Sequence, residues 1–360
     1  MSHGGDIYTN NVDLDFSVSL NPVKRNPEEE TLLEDAINRG IREACNYPDI
    51  TQRTVRHAIA AAEGSDPENI LAGAGASQLI MAVTTMVSPK KALIIEPAYS
   101  GYRYALSSID DCEIISYVLR EDKEFKPGTD LLDIITDDID MIFVQDPINP
   151  TGQNLEKSTF YRILELANTR YITVLYDRSF YKISDGYGEN RAGIFDKNME
   201  NYPNLFIIGS YTKSFALPGI RTGFAMSTKN NISKLSTYIP EWNISSIASR
   251  VMEACASIEQ KGEYLRRSQS VIRKERQYLS SELSDMGFKV IKSDTVFILF
   301  KDEKGLDLYD ELLKRRILIR KCEDFTGLGR GYYRIGVRSH TDNEILVNGI
   351  REIINGNTNC

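Results

Sequence analysis

The stretch of sequence that decides the fold is LFIIGSYTKSFALPGIR, residues 205–221. Its first five residues form a short apolar run, which predicts a buried strand. Small hydroxyl residues then surround one lysine, Lys213, and an arginine, Arg221, follows eight residues later. This stretch alone is consistent with a binding site or with a strand end followed by an ordinary surface loop, and the rest of the sequence is needed to distinguish the two.

The residue types in this stretch suit pyridoxal phosphate. Lys213 can form a Schiff base with the cofactor aldehyde. Ser210, Thr212 and Arg221 can donate hydrogen bonds to the cofactor phosphate, the arginine through a charged fork.

Short apolar runs recur on both sides of this stretch, with amphipathic segments between several of them. The predicted strands are Ile70–Ala72, Ala92–Ile95, Glu113–Leu119, Met141–Gln145, Ile172–Asp177, Leu205–Gly209 and Thr222–Met226. Predicted helices are Glu28–Ala44, Thr54–Glu63, Ser77–Met86, Tyr102–Ser108 and Ser158–Asn168. This alternation predicts an α/β fold whose mostly parallel sheet is covered by helices on both faces.

Beyond residue 236 the alternation stops, and a smaller α+β lobe is predicted. Ile247 to about Met286 is interpreted as one long helix, with the charged stretch Glu259–Tyr278 as its solvated face. Strands at Phe288–Ile291, Thr295–Phe300, Ile317–Arg320 and Tyr332–Val337 and a helix at Leu306–Arg315 follow. We therefore expect an N-terminal arm and helix (1–45) that joins the small domain and a dimer interface, a large domain (46–235) and a small domain (236–360).

Ligands of such sheets bind beyond the carboxyl ends of the strands, so the residues there are candidates for a site. Gly75-Ala76-Ser77 lie at the start of a predicted helix, and their backbone N–H groups can approach a phosphate. A tight turn without a ligand explains the same small residues equally well. Tyr99 can stack on a flat ring or simply pack, and Asn149 lies in a proline-rich turn. Asp177 can hold a pyridine nitrogen protonated or cap a turn.

Composition excludes several classes of function. The 360 residues carry 43 basic and 51 acidic side chains, a net charge of −8, which argues against nucleic-acid binding. Five scattered cysteines and three histidines disfavour a disulfide framework or a metal site. Neither a membrane-length apolar run nor a secretory leader is visible, so we expect a cytoplasmic protein.

In their order along the chain, these motifs resemble the fold-type I pyridoxal phosphate enzymes of the aminotransferase class I/II superfamily. The resemblance implies Lys213 as the Schiff-base lysine and proton carrier, Asp177 as partner of the ring nitrogen, and Asn149 and Tyr99 at the ring. It implies a phosphate cup of Gly75, Ala76, Ser77, Ser210, Thr212 and Arg221. Tyr47 resembles the tyrosine that reaches the cofactor phosphate from a partner subunit, so a homodimer is implied.

Within the superfamily the chain is most similar to threonine-phosphate decarboxylases and next to histidinol-phosphate aminotransferases. Four stretches carry the likeness: His3-Gly4-Gly5, Asp15-Phe16-Ser17 with Asn21-Pro22, Ala216–Arg221, and Arg316–Arg320 through Tyr332–Ile335. Phe180 also fits, since aminotransferases usually have tyrosine there. It implies a small, phosphorylated amino acid or amine as substrate, with His3, Arg320 and Arg334 at its acidic groups.

The chain also departs from the family pattern. Ser19, Ile148, Arg178 and Ser245 replace customary residues, and we expect Ser19 and Ser245 to reshape the substrate pocket. Three functions stay open: a decarboxylase, an aminotransferase, or a silent pyridoxal phosphate-binding regulator.

Overall fold

The computed structural model describes residues 4–187 and 199–357. The strands of these residues are β1 (Leu14–Asp15), β2 (Ile70–Ala74), β3 (Lys91–Glu96), β4 (Glu113–Val118), β5 (Met141–Gln145), β6 (Thr173–Asp177), β7 (Leu205–Gly209), β8 (Thr222–Met226), β9 (Lys289–Val290), β10 (Phe297–Lys301), β11 (Ile317–Leu318), β12 (Arg320–Lys321) and β13 (Tyr332–Gly336).

The helices of the same residues are α1 (Pro27–Glu43), α2 (Arg53–Glu63), α3 (Ala76–Val87), α4 (Gly101–Leu106), α5 (Leu131–Ile134), α6 (Lys157–Thr169), α7 (Tyr211–Ser214), α8 (Lys229–Ser236), α9 (Ser246–Lys261), α10 (Glu263–Asp285), α11 (Leu308–Lys314) and α12 (His340–Asn357). Within this part of the chain, every helix is too short or too polar to span a bilayer.

Seven strands form the central sheet in the order β2-β8-β7-β6-β5-β3-β4. The five neighbouring strands β7, β6, β5, β3 and β4 are parallel, whereas β8 runs antiparallel to both of its neighbours, β2 and β7. Alternate residues of the buried strands enter two apolar cores, one containing α3, α4 and α8 and the other containing α2, α6 and α9. The predicted α/β class, with a mostly parallel sheet covered on both faces, is confirmed.

The register of the sheet brings the candidate residues together. Gln145 at the end of β5 lies opposite Asp177 at the end of β6, and Asp177 lies opposite Ile208 of β7. The strand ends therefore share one edge, where α3 and α7 also begin.

The C-terminal residues form a smaller lobe around the four-stranded antiparallel sheet β12-β13-β10-β9. The N-terminal arm joins this lobe, because β1 pairs in parallel with β11. Helix α1 begins with a capping box between Asn26 and Glu29 and packs on α9, where Gly40 approaches the backbone of Ile247. The division of the chain at residues 45 and 235 stays a prediction.

Three interpretations of the C-terminal sequence are wrong. The single helix predicted from Ile247 to Met286 is two helices, because Gly262 takes a φ of 74° and ends α9. The charged stretch Glu259–Tyr278 is not a fully solvated face, since Glu259, Glu275 and Arg276 are buried. The strand predicted at Ile317–Arg320 is divided between two sheets.

Candidate active site

A cavity of about 270 Å³ lies at the carboxyl edge of the central sheet, and residues of both lobes line it. Most of the predicted site residues are on its wall: Ala76, Ser77, Tyr99, Asn149, Asp177, Ser210, Thr212, Lys213, Arg221, Arg320 and Arg334. Gly4, Ser17, Ser179 and Gln145 also line the cavity. Gly4 and Ser17 lie in stretches that carry the family resemblance, whereas no sequence signal singled out Ser179 or Gln145.

Lys213 lies in the one-turn helix α7, directly beyond β7. The arm holds this turn in place, since the Asn21 backbone N–H donates to the Lys213 carbonyl (3.0 Å) and the Asn21 amide donates to the Ser214 carbonyl (2.8 Å). Burial, together with the nearby charges of Arg334 and Arg221 and against an opposing effect of Asp177, lowers the pKa of Lys213 to about 8. A neutral, nucleophilic amine is therefore accessible near neutral pH.

Asp177 ends β6 and is 2% exposed. Its carboxylate accepts hydrogen bonds from the Tyr102 hydroxyl (2.7 Å) and from the Ser179 backbone N–H (2.9 Å). Burial raises the pKa of Asp177, and these hydrogen bonds oppose that rise. The sequence analysis did not identify Tyr102 as a site residue. The one signal for it was its position, one helical turn after Tyr99.

The amino end of α3 opens onto the same cavity. Its N-cap residue, Gly75, has a φ of 83° and makes no side-chain cap, so the first backbone N–H groups and the helix dipole face the cavity. A Cβ at Gly75 would lie 2.6 Å from the nearest guanidinium nitrogen of Arg221. Glycine at this position therefore lets Arg221 lie against the turn.

The hydroxyl groups of Ser210 and Thr212 point to the same backbone atom. Both donate to the Thr222 carbonyl oxygen, at 2.9 and 3.1 Å. A hydroxyl that turned toward a phosphate would exchange this hydrogen bond for one of similar strength. Tyr99 forms the adjoining wall, its hydroxyl 3.3 Å from that of Ser77.

On the opposite wall, Arg334 is buried in β13 and reaches across to the large lobe. Its guanidinium donates to the Asn149 side-chain oxygen and to the Ser17 carbonyl (2.8 Å), while Nε is buried with no hydrogen-bond partner among the described residues. Burial lowers the pKa of Arg334 to about 10. Because its oxygen accepts from Arg334, Asn149 has its amide N–H groups left to donate.

Arg320 of β12 is the direct cross-strand partner of Arg334. Its Nη2 atom bonds both carboxylate oxygens of Asp324, at 2.8 and 2.7 Å. Phe180 lies on the cavity wall between the lobes, with its ring centroid 5.5 Å from the Lys213 Nζ atom.

Some predicted residues lie elsewhere. Tyr47 is outside the cavity wall and 81% exposed, and its ring lies tilted against that of Trp242 with 4.7 Å between the ring centroids. His3 lies outside the described residues. The expectation that Ser245 shapes the pocket is wrong, because this exposed side chain caps α9 by accepting from the Ala248 N–H. Ser19 does line the cavity, and its buried hydroxyl has no partner among the described residues.

This set of groups fits pyridoxal phosphate. A buried amine with a lowered pKa matches the aldehyde, and a buried carboxylate matches the ring nitrogen. An uncapped helix terminus beside Arg221 matches the phosphate.

Comparisons with known proteins show the family and the fold of the chain. The family model for aminotransferase class I and II matches residues 13–350. The chain is 33% identical over 353 residues, 95% of its length, to the adenosylcobalamin biosynthesis bifunctional protein CobDQ of Leptospira interrogans, and it spans 39% of that longer protein. It is 26% identical to the threonine-phosphate decarboxylase of Salmonella typhimurium, over 95% of this chain and 92% of that one.

Among solved structures, the chain resembles the histidinol-phosphate aminotransferase of Clostridium acetobutylicum. The TM-score is 0.84 at 28% identity, covering 95% of this chain and 99% of the other. Fold, site and sequence thus agree, and the chain belongs to the class I and II aminotransferase family, as an enzyme that uses pyridoxal 5'-phosphate for transamination or decarboxylation.

Proposed function

We propose that the chain decarboxylates an O-phosphorylated α-amino acid, of the kind that L-threonine O-phosphate represents. The observation that carries the phosphorylated substrate class is the cross-strand pair of arginines, Arg320 and Arg334, on the small-lobe wall of the cavity. Phe180, which brings no hydroxyl group beside Lys213, favours decarboxylation over amino transfer. Two anionic groups on one small substrate would match two guanidinium groups on one wall.

The electrostatics of that pair support an anionic ligand. Like charges on directly opposed strand residues repel, and they persist where another charge compensates them. Asp324 compensates Arg320, whereas Arg334 bonds only to the neutral oxygens of Asn149 and Ser17 among the described residues. We assign the substrate carboxylate to Arg334 and the phosphate to Arg320, with His3 assisting.

The large lobe would hold the cofactor. In this proposal Lys213 binds it covalently, Asp177 keeps its ring nitrogen protonated, and Asn149 and Tyr99 contact its ring. Gly75, Ala76, Ser77, Ser210, Thr212 and Arg221 surround its phosphate. Bound pyridoxal phosphate supplies an electron sink for the bond that breaks at the substrate Cα.

The choice of bond would depend on how the chain orients the substrate. In this proposal Arg334 and Arg320 together orient the substrate so that the Cα–carboxyl bond is the one that breaks, and carbon dioxide leaves without the bonding electron pair. One proton must return to Cα, and Lys213 is suited to deliver it because its lowered pKa lies near neutral pH. Phe180 beside Lys213 brings no hydroxyl group to this exchange.

A second candidate is an aminotransferase of the histidinol-phosphate type. The likeness to the Clostridium acetobutylicum enzyme at 28% identity favours it. The arginine pair would then bind the phosphate of one substrate and the two carboxylates of glutamate, the amino donor. The same wall therefore suits both reactions, and only the products separate them.

We further propose a homodimer in which Tyr47 completes the cofactor site of a second copy of the chain. Its exposure of 81% and its position outside the chain's own cavity support this role. Exposed apolar side chains nearby, Ile41 and Ile50, add a surface that a second copy would cover.

Product analysis tests the proposal. The cofactor-loaded protein is incubated with L-threonine O-phosphate, and separately with histidinol phosphate plus 2-oxoglutarate. We expect carbon dioxide and an amino-alcohol phosphate from the first incubation. Glutamate from the incubation with histidinol phosphate, without carbon dioxide from the incubation with L-threonine O-phosphate, would refute the decarboxylase and support the aminotransferase.

A further inference from the structure

We propose that Asp324 is a specificity-determining residue that keeps free anions off Arg320 while admitting a phosphate group that is part of a bound substrate. This inference rests on the proposed function, in which Arg320 receives the substrate phosphate. It assigns a role to a carboxylate that lies beside the cavity and takes no part in binding the cofactor.

The geometry shows that Arg320 already holds an anion. Its side chain is 7% exposed, and Nη2 donates to both oxygens of Asp324 while Nη1 donates to the Lys321 carbonyl. Two of its three guanidinium nitrogens are therefore engaged. A phosphate entering the cavity meets an arginine whose charge is already neutralised.

Asp324 reaches Arg320 from outside the reaction cavity. It does not line the 270 Å³ cavity; it lines a separate space of about 30 Å³ that it shares with Arg320, Tyr99 and Phe325. Its side chain is 38% exposed, so water can solvate the carboxylate when it releases the arginine. Arg320, by contrast, is held in β12 by the pairing with β13. The bond can therefore open by movement of Asp324 alone.

The effect of this competition depends on whether the arriving phosphate is tethered. Free inorganic phosphate has to displace Asp324 without help from other contacts. The phosphate of a substrate already bound through its carboxylate and amino group acts at a high effective concentration, so it displaces Asp324 more readily. Asp324 thus lowers the affinity of the site for free anions, which would otherwise occupy it.

Titration of the cofactor-loaded protein with inorganic phosphate, followed by calorimetry, tests this. The strength of a partly exposed ion pair predicts that Asp324→Asn binds phosphate about fivefold more tightly than the wild type. Glu323→Gln is the matched control, because Glu323 is the neighbouring exposed acid and lies near Lys321 rather than Arg320. It removes the same charge, and we expect a change of less than about twofold.

A double-mutant comparison shows whether the gain passes through Arg320. We expect Asp324→Asn to have no effect in an Arg320→Ala background. Unchanged or weaker phosphate binding by Asp324→Asn, with Arg320→Ala also weakened, would mean that Asp324 positions Arg320, which overturns the inference and leaves the proposed function intact. If Arg320→Ala binds phosphate as the wild type does, the phosphate contact of the proposed function fails as well.

Discussion

The two walls of the cavity differ in how their charges are satisfied. On the large-lobe wall, Asp177 accepts from Tyr102 and Ser179, and the hydroxyls of Ser210 and Thr212 bond to one backbone carbonyl. On the small-lobe wall, two guanidinium groups face each other across neighbouring strands. Arg334 retains a buried Nε without a partner among the described residues.

The difference indicates two kinds of binding. The large-lobe wall is held in position by its own hydrogen bonds, as suits a cofactor that stays through every turnover. The small-lobe wall retains positive charge that a transient anion can compensate. We therefore expect changes to the first wall to act mainly on cofactor binding, and changes to the second to act mainly on substrate recognition.

The largest effect is expected from Lys213→Ala. In the proposed function, loss of the amine would remove both the covalent link to the cofactor and the proton carrier, so activity should fall by at least about 10³-fold. Borohydride reduction and peptide mapping of the wild type should find the pyridoxyl label on Lys213. The exposed Lys229→Ala serves as control and should retain both label and activity; a label on any other lysine would refute the assignment.

Asp177→Asn should lower activity by about 10²-fold or more while the cofactor stays bound to Lys213, because a neutral amide no longer stabilises a protonated ring nitrogen. Tyr102→Phe removes one hydrogen bond to the same carboxylate and should cost less than tenfold. Steady-state kinetics and the absorbance of the bound cofactor measure both variants. Equal losses in the two would show that the orientation of Asp177 matters more than its charge.

How far the sequence predicts this site depends on the kind of contact. Residues at or just beyond a strand end, such as Asp177 and Lys213, were predictable, because apolar runs mark the strands and parallel strands end at one edge. The Tyr102 contact was not, since it joins residues 75 positions apart and a tyrosine in a helix is usually packing. The split between β11 and β12 was not predictable either, because it depends on the pairing of β1 with β11, about 300 positions away in the sequence.

Two different causes, a glycine turn and burial by another helix, explain the errors in the C-terminal lobe. The helical pattern does continue from residue 247 to 286, but the positive φ of Gly262 breaks it. Glu275 is buried, and His340 and Asn343 of α12 satisfy its carboxylate by hydrogen bonds. These contacts cannot be predicted from local charge patterning.

The pKa of Lys213 predicts a pH dependence for cofactor uptake. Burial lowers this pKa to about 8, so the reactive neutral amine is a minor form below pH 8 and the main form above it. The rate of pyridoxal phosphate attachment to the cofactor-free protein should rise about tenfold per pH unit up to pH 7.5 and level off above pH 8.5. Stopped-flow absorbance gives this rate; continued increase up to pH 10 would contradict the lowered pKa.

The smallest effect is expected from Phe180→Tyr. The ring is 6% exposed and packs edge-on against Phe297 at 5.1 Å, so a hydroxyl adds a polar group near Lys213 without removing the packing. We expect the ratio of amino transfer to decarboxylation to rise a few-fold, as about 1 kcal/mol of altered hydrogen bonding would produce. Phe180→Leu, which adds no hydroxyl, is the control and should not raise the ratio.

Ligand binding to Arg320→Ala tests most directly whether the small-lobe wall recognises a doubly anionic substrate. The affinities of L-threonine O-phosphate and L-threonine for the cofactor-loaded protein are compared by titration. We expect the wild type to prefer the phosphorylated form by about 10²-fold, and Arg320→Ala to lose most of this preference while binding L-threonine as before. An Arg320→Ala protein that keeps the full preference would contradict the account.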